Sequence, residues 1–107
     1  MTKPLTITPA DLKAMRRNAG AAAAMMAALA HEARLRVLCD LVDGERTAGA
    51  LVERSGLSQS ALSQHLSRLR DEGLVATRRE GVSIFYRIAN PDAARILGVL
   101  QDIYCKR

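Results

Sequence analysis

The stretch Leu57 to Gly73, LSQSALSQHLSRLRDEG, admits few folds. Read as a helix from about Ser58, it sets Leu62, Leu66 and Leu69 on one narrow stripe at i, i+4 and i+7. Ser60, Ser63, Gln64 and Ser67 fall on the opposite arc, which is uncharged and made of short hydroxyl and amide groups. A helix face that only meets solvent more often carries Lys and Glu in i,i+4 pairs. Amides and hydroxyls near a helix N-terminus can pair with base edges in a DNA major groove. The positive end of such a helix also attracts a phosphate. A polar surface helix satisfies the same segment equally well, and its neighbours separate the two readings.

Upstream, Thr47 to Arg54 reads as a short helix with Ala48, Leu51 and Val52 inward, and Ser55-Gly56-Leu57 as a tight turn. Helix, Gly-containing turn and polar-faced second helix make the helix-turn-helix arrangement. His31 to Val42 gives an earlier helix, with Leu35, Leu38, Cys39, Leu41 and Val42 buried and Arg34 and Arg36 outward; Asp43-Gly44-Glu45 ends it. Residues 1–7 read as a disordered lead-in. Thr8-Pro9-Ala10-Asp11 then starts the first helix, with a capping hydroxyl, Pro at the first position and an acid in the first turn. It runs to about Leu29, with Leu12, Met15, Ala19, Ala22, Met26 and Leu29 along one side. The run AAAAMMAA, residues 21–28, is small and apolar nearly all round. Ordinary core packing could cover it, but in so short a chain a subunit interface is the stronger reading.

After Gly73 the periodicity switches to strands. Leu74 to Arg79 and Val82 to Ile88 flank Glu80-Gly81, a two-residue hairpin signal that puts Arg78 and Arg79 at the tip. Basic residues there suit phosphate or minor-groove contact, or simple solubility. Asn90-Pro91-Asp92 starts a last helix carrying Ile96, Leu97, Val99, Leu100 and Ile103, a stripe that again wants a partner.

A chain of 107 residues has room for one domain, spanning 1–107. Its 16 Lys and Arg against 11 acids give a net charge of +5, which suits a polyanionic partner. No apolar run reaches membrane-spanning length, and the start MTKPLTITPAD lacks the apolar stretch of a signal peptide. A cytoplasmic location is expected, with the two cysteines resting as thiols.

The order of elements and three strings resemble the ArsR/SmtB family of winged-helix repressors. These are LAHEARLRVLCDL (Leu29 to Leu41), LSQSALSQHLSRLRDEGLV (Leu57 to Val75) and the wing RREGVSIFYRI (Arg78 to Ile88). The resemblance implies a mainly α winged helix-turn-helix of five helices with a β-hairpin wing between the fourth and fifth. Residues 9–29 and 91–105 become dimerisation helices, 47–72 the helix-turn-helix and 74–88 the wing. It also implies a homodimer on a two-fold symmetric double-stranded operator. Carried over by position, Gln59, Ser60, Ser63 and Gln64 take the base-reading places, with Arg78 and Arg79 on the wing.

Departures from the family pattern matter as much. Thr47 and Gly49 stand where metal-sensing members carry paired cysteines, and neither supplies a thiolate to a soft metal. The last helix has no His, and His65 lies inside the DNA-reading helix, a poor place for a ligand, so no metal site and no cofactor are expected. Cys39 in VLCDL and Cys105 in IYCKR remain. A lone Cys on an apolar helix face is usually a small buried hydrophobe. Their placement nevertheless resembles the thiol-sensing branch that includes the BigR, SqrR and HlyU regulators. That branch implies release from DNA when reactive sulfur species or oxidant bridges the two. A direct disulfide needs Cα atoms roughly 4.4–6.8 Å apart, and each inserted sulfur extends the reach by about 2 Å. Lys106 and Arg107 favour the Cys105 thiolate, while the helix C-terminus opposes it. The competing readings are an ArsR-type regulator with purely structural cysteines and a small thiol enzyme. No Cys-x-x-Cys and no convincing base accompany either thiol, so no enzyme is expected.

Overall fold

A computed structural model describes residues 5–105. Residues 1–4 of the expected lead-in, and Lys106 and Arg107, lie outside the described residues. The elements run α1 (Pro9–Leu29), α2 (Glu32–Asp40), β1 (Arg46–Thr47), α3 (Ala48–Ser55), α4 (Gln59–Asp71), β2 (Val75–Glu80), β3 (Ser83–Ile88) and α5 (Pro91–Tyr104). The helices start where side chains can satisfy orphan backbone donors. Thr8 accepts from the Asp11 N–H while the Asp11 carboxylate accepts from the Thr8 N–H, a reciprocal capping box. Thr47 caps α3, Ser58 caps α4 and Asn90 caps α5. Thr47 thus does local structural work at one of the positions where metal-sensing relatives would hold a thiol.

The core is aliphatic. Leu62, Leu66 and Leu69 of α4 meet Val37, Leu38 and Leu41 from α2 and its C-cap, Leu51 of α3, Leu74 and Val75, and Ala93 and Leu97 of α5. Gly56, at φ +72°, closes α3 in the left-handed conformation that turns the chain sharply into α4.

The wing differs from the expected hairpin in two ways. Its antiparallel register pairs Glu80 with Ser83, so the turn residues are Gly81 (φ +62°) and Val82 rather than Glu80 and Gly81. Arg78 and Arg79 therefore sit on β2 below the tip, facing Phe85 and Ile84 across the ladder. The sheet also has a third strand: β1 pairs with β3, Arg46 opposite Tyr86 and Thr47 opposite Phe85. A two-residue strand carries no periodicity, which is why the sequence concealed it.

Burial on α2 also departs from expectation. Arg34 is not outward: it is only 7% exposed and its Nη2 reaches both Glu72 carboxylate oxygens at 2.7 and 2.9 Å. Its Nε is buried without a partner. Arg36 is outward at its stem but donates to the Ser55 carbonyl at 2.6 Å, tying α2 to the end of α3. Cys39 and Val42 are exposed rather than core, and Leu35 is half-buried. The first helix is anchored mainly at its C-terminal end, through Ala28 and Leu29. Over its 21 residues, about 31 Å at 1.5 Å per residue, it leaves Leu12, Met15 and Met26 more than half exposed.

The Arg34–Glu72 pair joins α2 to the C-cap of α4, so Glu72→Ala strands a buried guanidinium. Stability is expected to fall by about 2 kcal/mol, read as a lower urea midpoint at unchanged m-value.

Candidate nucleic-acid interface and thiol site

Two surfaces carry the chemistry. The first is the outer face of α4. Burial of Leu62, Leu66 and Leu69 leaves Gln59, Ser60, Ser63, Gln64 and Ser67 exposed on one side. The Ser58 hydroxyl accepts from the Ala61 N–H at 3.1 Å, so the cap is spent inside the helix while the neighbouring polar groups stay available. Gln59, at the edge of the wheel, shares the exposed surface. His65 does not belong to it: its ring lies 5.0 Å from that of His31 at the start of α2. Partial burial, followed by the proximity of His31, Arg34 and Arg68, holds its pKa below the usual imidazole value.

On the wing, Arg79 is exposed and no hydrogen bond or ion pair engages it among the described residues. Arg78 is engaged. Its Nε donates to both Glu45 carboxylate oxygens at 2.8 and 2.9 Å, and its Nη1 donates to Glu80 at 2.6 Å. Its guanidinium carbon stands 4.6 Å from the centre of the Phe85 ring.

The face of α4, the three-residue turn ahead of it (Gly56 to Ser58) and the three-stranded sheet with its hairpin are the parts of a winged helix-turn-helix. A family model described as "Bacterial regulatory protein, arsR family" matches residues 31–77. Over 105 residues the chain is 43% identical to the biofilm growth-associated repressor of Agrobacterium fabrum, covering 98% of this chain and 90% of that protein. The chain belongs to the ArsR family. Among solved structures, reduced HlyU from Vibrio cholerae matches with TM-score 0.82 at 41% identity, covering 88% of this chain and 99% of that one. The homodimeric winged helix-turn-helix DNA-binding domain of a possible ArsR-family regulator from Mycobacterium bovis matches with TM-score 0.67 at 36% identity, covering 80% and 83%. This ArsR-family protein is accordingly a DNA-binding transcription regulator, and among its described residues no helix is long and apolar enough to cross a membrane.

The second surface joins α2 to α5. Cys39 stands near the end of α2, and Cys105 caps α5, its N–H donating to the Gln101 carbonyl at 2.9 Å. Both are free thiols, and both line one cavity of about 220 Å3 together with Leu35, Val42, Leu97, Leu100, Gln101 and Tyr104. The lining is almost wholly carbon and sulfur. Partial burial against it, then the proximity of Cys105 and of Asp40, raises the Cys39 pKa above its ordinary value. The sequence hid the cavity, because its two walls come from α2 and α5, which lie far apart in the chain.

The sign of that shift sets a pH dependence. The Cys39 thiolate is disfavoured at neutral pH, so in a Cys105→Ser variant alkylation of Cys39 by iodoacetamide should still be accelerating above the ordinary thiol pKa of about 8.5. Removal of Cys105 takes away the second cause and leaves burial, the largest. A rate profile levelling off at or below that pH contradicts the assignment.

Proposed function

We propose that this regulator is a dimeric repressor that leaves a two-fold symmetric operator when Cys39 and Cys105 are joined by a sulfur bridge. The observation that carries the reading is the shared apolar cavity, which gives two sequence-distant thiols one meeting place. A donor at the organic trisulfide level balances the step. The Cys39 or Cys105 thiolate attacks the trisulfide and expels one thiol. The other cysteine then attacks the transferred sulfur and expels the second. Two protein thiols and one trisulfide give a protein trisulfide and two small thiols. With peroxide, the same thiols give a disulfide and two waters.

The consequence for DNA follows from what Cys39 is attached to. The carbonyl of Asp40, the next residue, accepts from Arg46 Nε at 2.7 Å, and its carboxylate accepts from Arg54 of α3 at 3.4 Å. Arg46 lies in β1, which pairs with the wing strand β3. A bridge that shifts the end of α2 toward α5 therefore pulls on α3 and on the sheet. Bringing occupancy from about 99:1 to 1:99 requires roughly 5.5 kcal/mol of preference between the two conformations, which strain in a covalent link can supply. The second subunit is supported by the exposed apolar stripes of α1 (Leu12, Met15, Met26) and α5 (Val99, Ile103, Tyr104). Gln59, Ser60, Ser63 and Gln64 read base edges, and Arg79 meets phosphate.

Cys39→Ser should bind operator DNA like the wild type yet stay bound after treatment with glutathione trisulfide, measured by fluorescence anisotropy. Normal release by the variant defeats the switch. Intact mass of the wild-type protein separates the triggers: trisulfide adds one sulfur and removes two hydrogens, whereas peroxide removes two hydrogens only. Gln64→Ala should weaken specific binding by about 1–3 kcal/mol while leaving non-specific binding unchanged.

A further inference from the structure

Arg78 and Arg79 are adjacent basic residues on the wing, yet the fold treats them differently. Successive side chains on a strand point to opposite faces. Arg78 shares its face with Phe85 and Arg79 is paired with Ile84, so the two cannot serve the same surface. All the strong partners lie on the Arg78 side. Glu45 takes a two-oxygen grip on Nε, Glu80 takes Nη1, and the guanidinium lies over Phe85. Two carboxylates already compensate the charge of this guanidinium and hold its Nε and Nη1, which leaves Nη2 as its one nitrogen without a partner among the described residues.

Glu45 is itself attached to a fixed point. It immediately precedes β1, whose Arg46 is bound to the Asp40 carbonyl and, at 3.1 Å, to the Asp43 carboxylate. The clasp therefore runs from the α2–α3 connection, through Glu45 and Arg78, to Glu80 beside the hairpin turn. It spans the sheet from the β1 edge to β2.

We propose that Arg78 is a positioning residue that clasps the wing to the α2–α3 connection through Glu45 and Glu80, and that Arg79 alone of the pair contacts phosphate. The proposal rests on the DNA-binding role of the family and is independent of the thiol switch. The acids also have a definite job: without Arg78, Glu45 and Glu80 would present bare negative charge near the DNA.

Three variants of the full-length protein, titrated with operator DNA across a salt series, test it. Arg78→Lys keeps the charge but loses the fork and the planar stack. Positioning predicts weaker binding by about threefold to fivefold per protomer, the equilibrium value of one exposed ion pair, at unchanged salt slope. Glu45→Gln is the sharper variant, because removing an acid from a DNA-facing surface should tighten binding if only charge matters. Positioning predicts that it weakens binding instead, also at unchanged slope. Arg79→Ala should lower the slope by about one for each arginine removed. The proposal is overturned if Arg78→Lys binds like the wild type, if Glu45→Gln binds more tightly, or if Arg79→Ala leaves the salt slope unchanged. Glu45→Gln leaves the core untouched, so it remains decisive even if an Arg78 variant folds poorly.

Discussion

Everything that the regulator presents to DNA depends on the burial of three leucines. Leu62, Leu66 and Leu69 are each almost fully enclosed, and burying each contributes about 1.5–3 kcal/mol relative to exposure. Turning α4 by one position about its axis would forfeit much of that and drive serines and glutamines into an aliphatic core without partners. The rotation of the helix is thus fixed from inside. The uncharged arc of Gln59, Ser60, Ser63 and Gln64 faces outward as the necessary complement of the leucine stripe.

Arginines do the work that aromatic residues do in many small domains. The chain has no Trp, one Phe and two Tyr, and its junctions are closed by guanidinium groups reaching across element ends. Arg34 joins α2 to the α4 C-cap, Arg36 joins α2 to the end of α3, Arg46 ties β1 back to α2, and Arg78 ties the wing to the segment before β1. These contacts are directional, whereas aliphatic packing is not, so they set angles between elements more than they add stability. A basic composition read only as a DNA-binding surface is therefore partly an internal scaffold.

The thiol cavity is linked to the rest of the fold through the end of α2. Cys39 lines the cavity from the same turn whose neighbouring residue, Asp40, is held by Arg46 and Arg54. Any chemistry that draws Cys39 toward Cys105 acts on a helix end already wired to α3 and to the sheet. Tyr104 belongs both to the cavity lining and to the exposed apolar residues of α5.

Much of this was legible in the residues. The leucine spacing, the capping residues Thr8, Ser58 and Asn90, and the glycine after α3 are local signals, and local physics reads them without knowledge of the rest of the chain. The family strings added the winged helix-turn-helix and the expectation that Cys39 and Cys105 act together. What the sequence alone could not contain was anything decided by residues far apart meeting in space. The burial of Arg34 depends on Glu72, the occupation of Arg78 depends on Glu45, and β1 exists only because β3 lies beside it. The cavity between Cys39 and Cys105 likewise belongs to neither helix. Periodicity determines which face of an element is apolar; only the packed structure decides which charge finds a partner, because that choice depends on distances the linear chain does not specify.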